Sequence, residues 1–149
     1  THAVGVTAKE RSQQVIDDLQ SLEDTEWRYL HIIEKGKKAE DLPEDLRIEK
    51  YRVEGCASNL WLVPDFRDGK CFFRTDADAM ITKGVAAVVT SVYSDATPDE
   101  IIQLDPEFLR EAGLAQVLSP NRANGLSAIC KQIKLYAVAF KQLGSSAAV

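Results

Sequence analysis

Apolar positions recur at helical spacing from the start of the chain: Val15, Ile16, Leu19 and Leu22 fall on one stripe. Thr7 and Glu10 stand ahead of it at capping-box spacing, so the first helix is expected to open at Thr7. A second helix is expected from Asp24 or Thr25 to about Lys38, with a broad apolar face of Trp27, Tyr29, Leu30, Ile32 and Ile33. Pro43 cannot continue that helix, and the charged stretch 39–50 predicts a loop with one helical turn. The pattern then changes. Tyr51 to Phe66 is rich in β-formers, and Lys70 to Thr75 follows an Asp68-Gly69 pair, a hairpin signal. Pro64 fits poorly in a central strand, so a connection longer than two residues is expected. Helical spacing returns after Asp76, a good N-cap, with Ile81, Val85, Val88, Val89 and Val92 on one stripe. Thr97-Pro98-Asp99-Glu100 combines an N-cap, a first-turn proline and a capping-box glutamate. Asp105-Pro106 opens another short helix ending near Gly113. Ser119-Pro120 opens a long one with Leu126, Ile129, Cys130, Ile133, Ala137 and Phe140 inward. Two helices, a small antiparallel sheet of about three strands, then several helices make an α+β architecture.

The 149 residues give room for one domain spanning 1–149, and a chain of this size needs no metal or disulfide staple to fold. Composition is ordinary for a globular protein, 45% hydrophobic and 28% charged. A net charge of −5 argues against a nucleic-acid backbone binder. The apolar run Val85 to Val89 is far too short to span a bilayer. No secretory leader is visible, and three cysteines are an odd number, so a reducing, cytoplasmic setting is expected. Charge is unevenly placed: residues 94–118 carry six acids and one base, and residues 119–149 carry four bases and no acid. This reads as solvated helix faces or as a polarised surface that orients a partner protein.

The inventory is poor for hydrolysis or phosphoryl transfer. The two histidines, His2 and His31, assemble no catalytic triad, and neither a phosphate loop nor a paired Cys-x-x-Cys zinc signature is present. The cysteines remain. Cys130 falls on the apolar stripe of the last helix and Cys71 in a strand, both positions of ordinary core packing. Cys56 differs: it follows Gly55 directly, in Glu54-Gly55-Cys56-Ala57-Ser58, at a bend entering a strand.

Gly55-Cys56-Ala57-Ser58-Asn59-Leu60-Trp61 resembles the Gly-Cys-x-Ser-x-hydrophobic-Trp block of the SufE family of sulfur acceptors. Asp76-Ala77-Asp78-Ala79 with Ile81 and Lys83-Gly84 resembles that family's Asp-Ser-Asp-Ala-x-Ile-x-Lys-Gly block, with Ala77 where the family has serine. Leu118-Ser119-Pro120-Asn121-Arg122 with Gly125-Leu126 resembles a third block. Tyr29-Leu30, Ile32-Ile33, Gly36 and Leu42-Pro43 resemble the family's upstream helical region, so the likeness runs from about Trp27 to Ile133.

The resemblance implies a SufE-like fold, shared with scaffolds of the IscU type, and a sulfur acceptor that stimulates a pyridoxal-phosphate cysteine desulfurase of the SufS or CsdA kind. Such a protein delivers sulfur towards an iron–sulfur assembly scaffold. It is a transpersulfuration partner without a cofactor of its own, the pyridoxal phosphate residing on the desulfurase. Cys56 would be the nucleophile, attacking the outer sulfur of the desulfurase's persulfide. Glu54 would push its pKa up and Arg52 down, and Val53, Leu60, Trp61 and Leu62 could shelter the product. Gly55, Ser58 and Asn59 would support the loop, Trp61 would pack beneath it, and Asp76, Asp78 and Arg122 are candidates for partner contact. Plainer roles stand beside these: Asp76 as an N-cap, Asp78 as a first-turn acid and Arg122 in a salt bridge. The competing readings are a metal or iron–sulfur scaffold built on Cys56, Cys71 and Cys130, a stand-alone thiol enzyme such as a peroxidase, and a plain interaction module.

Overall fold

The computed structural model describes residues 7–54, 59–118 and 120–147. Its elements run α1 (Ala8–Gln20), α2 (Thr25–Lys38), β1 (Leu60–Arg67), β2 (Lys70–Ala77), α3 (Met80–Tyr93), α4 (Pro98–Gln103), α5 (Glu107–Glu111), α6 (Leu114–Val117) and α7 (Pro120–Ala147). Single turns of 3-10 helix at Glu44–Leu46 and Glu49–Tyr51 occupy the charged connection after α2. This is the expected α+β order, with α6 as an unanticipated addition.

Thr7, Asp24 and Thr97 cap their helices as expected, and Asp105 binds a first-turn amide from just ahead of α5. Thr7 Oγ1 accepts from the Glu10 backbone N–H at 3.1 Å, Asp24 from Glu26 at 2.8 Å, Thr97 from Glu100 at 3.2 Å and Asp105 from Glu107 at 2.9 Å. Each satisfies a donor that the first helical turn cannot pair internally. The expected cap at Ser119 lies outside the described residues.

The sheet is smaller than expected. β1 and β2 form a two-stranded antiparallel hairpin in register from Leu60↔Ala77 to Arg67↔Lys70. The connection is two residues, not longer: Asp68 and Gly69 both take positive φ, 53° and 77°, the backbone of a tight hairpin turn. Pro64 is tolerated because its partner Phe73 turns its N–H away from β1, to Ser94 Oγ at 2.9 Å. Pro64 thus sits at a position where β1 owes no ladder bond, as an edge strand allows. The third strand shrinks to bridges. Arg52 pairs with Trp61 on one side, and Cys71 pairs with Ala96 on the other.

α3 is the hub. It packs between α2, β2, α1 and α7 and buries Ile81, Val85, Val88, Val89 and Val92, the stripe read from sequence. Its contact with α2 is backbone to backbone. A Cβ on Gly84 would meet the Ile32 carbonyl oxygen at 2.0 Å, and one on Gly36 would meet the Met80 carbonyl oxygen at 2.6 Å. This close crossing corrects the expected broad face of α2. Only Ile32 and Gly36 are buried, whereas Trp27 and Leu30 stand out in solvent at 63% and 48% exposure. α7 buries Leu126, Ile129, Cys130, Ile133 and Ala137, and its Phe140 ring stacks on Phe66 at 5.1 Å. The end of α3 is closed by Arg11, whose guanidinium donates to the carbonyls of Val92 at 3.0 Å and Ser94 at 2.8 Å. A buried cation there meets the negative end of the helix.

This packing can be tested at two points. Gly84→Ala forces the α2–α3 crossing apart and should cost about 3 kcal/mol in urea unfolding, with Gly69→Ala costing less, about 1 kcal/mol, because its left-handed φ is strained for alanine but nothing lies within 4 Å of its Cβ position. His31 is pushed below the ordinary histidine pKa, first by burial and then by Lys35. The unfolded chain therefore binds more protons, so this contribution is complete above about pH 6.5 and is lost as pH falls towards the folded value. The fall in unfolding midpoint between about pH 7.5 and pH 5.5 should be smaller in His31→Gln.

Candidate functional site

The site is built on the open end of the hairpin. Val53 N–H donates to the Leu60 carbonyl at 2.8 Å, next to the Arg52↔Trp61 bridge. These bonds close a stem, and residues 54–59 connect its two sides. Gly55, Cys56 and Ser58, singled out in the sequence, lie outside the described residues. Arg122 falls in the first turn of α7, and its side chain also lies outside them.

The described part of the stem is braced by a chain of charged hydrogen bonds. Asn59 accepts from Arg52 Nε at 3.1 Å through Oδ1 and donates to Asp78 Oδ2 at 2.7 Å through Nδ2. The Asn59 carbonyl accepts from the Asp78 N–H at 3.1 Å. Asp78 Oδ1 takes the Arg47 guanidinium at 3.2 Å. That guanidinium lies over the Trp61 ring, 4.5 Å from its centre, a cation–π contact. Trp61 is therefore both a packing residue and a platform. Arg52 is held from its other side by Glu49 at 3.2 Å.

Asp76 anchors the network from below. It is neither an N-cap nor helical: α3 begins at Met80 after Ala79, and Asp76 lies near the end of β2 opposite Trp61. Its buried carboxylate accepts from the N–H of Leu42 at 3.0 Å and of its neighbour Ala77 at 2.8 Å. Lys83 Nζ stands 3.6 Å away and Arg47 Nε 3.8 Å away. Asp78 likewise precedes the helix instead of lying in its first turn. Lys83 is itself buried and reaches out to Asp41, whose carboxyl it holds below the ordinary carboxylate range by that hydrogen bond. Arg47 Nε is buried and, among the described residues, has no hydrogen-bond partner, being just too far from Asp76.

Arg47 and Asp41 were not legible as site residues, because they sit in the charged loop with no local signal. Lys83 was visible only as part of a sequence block. Val53, Leu60, Trp61 and Leu62, the apolar residues expected beside Cys56, are all buried. The void behind Leu60 holds about 10 Å³, too small for a substrate.

The two described cysteines are closed to chemistry. Cys71 is 0% exposed, and burial pushes its thiol up to about 11. Cys130 is 4% exposed and pushed up to about 12 by burial, with Lys134 opposing. Thiolates, not thiols, attack sulfur or bind metal, so both are poor nucleophiles at neutral pH. Among the described residues no three of His, Cys, Asp and Glu are grouped to hold a metal ion. No helix of the described chain is long and apolar enough to cross a membrane.

Fold and site together define a small α+β domain with a charge-braced stem at the open end of a two-stranded hairpin. The SufE model, an Fe-S metabolism associated domain, matches residues 13–137. An uncharacterized SufE-like protein of Synechocystis sp. (strain ATCC 27184 / PCC 6803 / Kazusa) is 36% identical over 133 residues, covering 89% of this chain and 83% of that protein. Uncharacterized SufE-like proteins of Rhizobium meliloti (strain 1021) and Rhizobium etli (strain ATCC 51251 / DSM 11541 / JCM 21823 / NBRC 15573 / CFN 42) are 37% and 40% identical over 126 residues. Both of these alignments cover 81% of this chain, and 90% and 85% of the respective relatives. The chain belongs to the SufE family, associated with Fe-S metabolism. The solution structure of a hypothetical protein from Thermus thermophilus shares its fold, with a TM-score of 0.71 at 22% identity over 87% of this chain and 94% of that one.

The bracing gives a direct test. Removing the carboxylate of Asp76 leaves the buried Leu42 and Ala77 amides without their acceptor, so Asp76→Ala should cost about 3 kcal/mol in chemical denaturation. Asp78→Ala, at a half-exposed position, should cost less than about 1 kcal/mol.

Proposed function

We propose that this protein takes sulfane sulfur from a pyridoxal-phosphate cysteine desulfurase onto Cys56 and passes it towards iron–sulfur cluster assembly. The observation that carries this reading is the burial of Cys71 and Cys130, which leaves Cys56, within the Gly55–Trp61 block, as the thiol for the chemistry. Membership of a family associated with Fe-S metabolism supports the same direction.

The step is a thiol exchange. The Cys56 thiolate attacks the outer sulfur of the desulfurase's Cys–S–SH, the S–S bond of that persulfide breaks, and the desulfurase cysteine leaves as a thiolate. Cys56 becomes Cys56–S–SH. The sulfane atom carries its proton across, and no external oxidant or reductant is consumed. A persulfide on Cys56 then meets a second acceptor, an iron–sulfur scaffold, by the same exchange. The pyridoxal phosphate belongs to the desulfurase.

Arg52 stands three residues after Glu49 and is engaged by it and by Asn59. A guanidinium already held by two acceptors exerts less pull on a nearby thiol, so activation of Cys56 falls to the docked partner. The free protein should therefore react with a thiol reagent no faster than a model thiol.

Intact-mass spectrometry after incubation with a desulfurase, pyridoxal phosphate and cysteine tests the reading. The expected result is a gain of one sulfur mass in the wild-type chain and in Cys71→Ala, and no gain in Cys56→Ser. An unmodified wild-type chain beside an active desulfurase, or a gain that survives in Cys56→Ser, would contradict it.

A further inference from the structure

The long helix α7 presents an apolar stripe that the described chain does not cover. A groove of about 600 Å³ runs between α5 and α7, floored by the buried side chains of Leu109, Leu126 and Cys130. Leu135 and Val138 form its lip and stand 54% and 42% exposed. From Ala123 to Val138 the groove follows one face of α7 for about four turns, or about 22 Å at the rise of an α-helix. None of the described residues that brace the stem lines it, so this surface is separate from the site at the hairpin.

The charge along the groove is one-sided. Residues 120–147 carry four bases and no acid, in a chain whose net charge is −5. Two of those bases, Lys131 and Lys134, edge the groove, and among the described residues neither belongs to an ion pair. Lys134 is close enough to Cys130 to oppose the effect of burial on that thiol, so its charge is felt at the groove floor. The acids on the α5 wall are already engaged, Glu107 by Arg110 and Asp105 by the Glu107 amide at 2.9 Å. An apolar trough is thus bordered by two uncommitted cations one helical turn apart.

These features select the occupant. Two free cations are too few for an anionic membrane surface, which takes clusters of about four to eight. The net charge opposes a nucleic acid. The exposed lip extends the apolar surface beyond the trough, where a helix covers it and a single acyl chain lying in the trough does not. A helix laid beside α7 repeats its side chains at the same spacing of three and four, so an apolar stripe on it interdigitates with the stripe from Leu126 to Val138. We propose that the α5–α7 groove binds an amphipathic α-helix of another protein, whose apolar stripe is flanked by carboxylates that meet Lys131 and Lys134. The proposal rests on none of the sulfur chemistry.

Fluorescence anisotropy of a labelled peptide titrated with the full chain tests it. The probe is a helical peptide of about 16 residues, long enough for the groove, with leucines at spacings of three and four, alanines between them and glutamates flanking the stripe. The control peptide has lysine in place of every glutamate. We expect saturable binding of the glutamate peptide that weakens as salt rises, and binding of the lysine peptide at least about tenfold weaker. The double variant Lys131→Glu/Lys134→Glu should invert that preference, and Leu135→Glu/Val138→Glu should weaken the glutamate peptide at least about tenfold. Lys131, Leu135 and Val138 are exposed and Lys134 is half-buried, so circular dichroism should show both variants folded. No binding of the glutamate peptide up to about 1 mM, or equal binding of the two peptides to the wild-type chain, would overturn the proposal whatever the variants do. So would a preference unmoved by the charge reversal, or an affinity unmoved at the lip. Dodecanoate is titrated alongside, and its capture by a groove that takes neither peptide would assign the surface to a small amphiphile and overturn the proposal as well.

Discussion

The buried carboxylate of Asp76 is the interaction on which the rest of the site depends. It stands near the end of β2, where the hairpin meets α3 and the loop that follows α2. One oxygen takes the Leu42 amide, the other the Ala77 amide and the approach of Lys83. A charge out of water is costly unless its lone pairs are filled, so this group fixes every segment that fills them. The loop is tied to the strand, the strand to the helix. Arg47, drawn in by the same charge, carries the order on to Trp61, Asp78 and Asn59. The stem leading to Cys56 is thereby held by chemistry that begins in distant parts of the sequence.

That carboxylate can be placed only because α3 is placed. Gly36 and Gly84 let α2 and α3 touch backbone to backbone, and Lys83 stands next to that crossing in the chain. Arg11 closes the far end of α3, and the turn at Ser94–Ala96 covers the open edge of β2 through Cys71 and Phe73. The same bonds bury Cys71 completely. Packing and reactivity are thus coupled: the arrangement that positions the hairpin also removes two of the three thiols from chemistry.

The helices were legible in the sequence because their signals are local. Caps at Thr7, Asp24 and Thr97, and the stripes from Ile81 to Val92 and from Leu126 to Ala137, needed no tertiary information. What failed was decided across the fold. Asp76 reads as a helix cap in isolation, but loop 39–47 comes back to occupy it. The apolar Trp27 and Leu30 read as core, but the glycine crossing turns α2 so that Ile32 takes that place. Pro64 reads as a bar to a tight hairpin, yet the Ser94 hydroxyl serves both backbone groups of Phe73 and removes the demand on the missing N–H. Arg47 carries no signal at all until Trp61 and Asp78 are brought beneath it. Of the site itself, the sequence blocks around Cys56 and Asp76–Gly84 marked where to look, while the bonds that join them came only from the fold.

In the function proposed above, sulfur enters this protein at Cys56 and at no other thiol. The most direct measurement is a single turnover with a cysteine desulfurase and cysteine carrying heavy-isotope sulfur, followed by peptide mass spectrometry of the trapped persulfides. Label is expected on the peptide containing Cys56 and on neither of those containing Cys71 or Cys130. Label on either buried thiol, or no label anywhere while the desulfurase turns over, would contradict it.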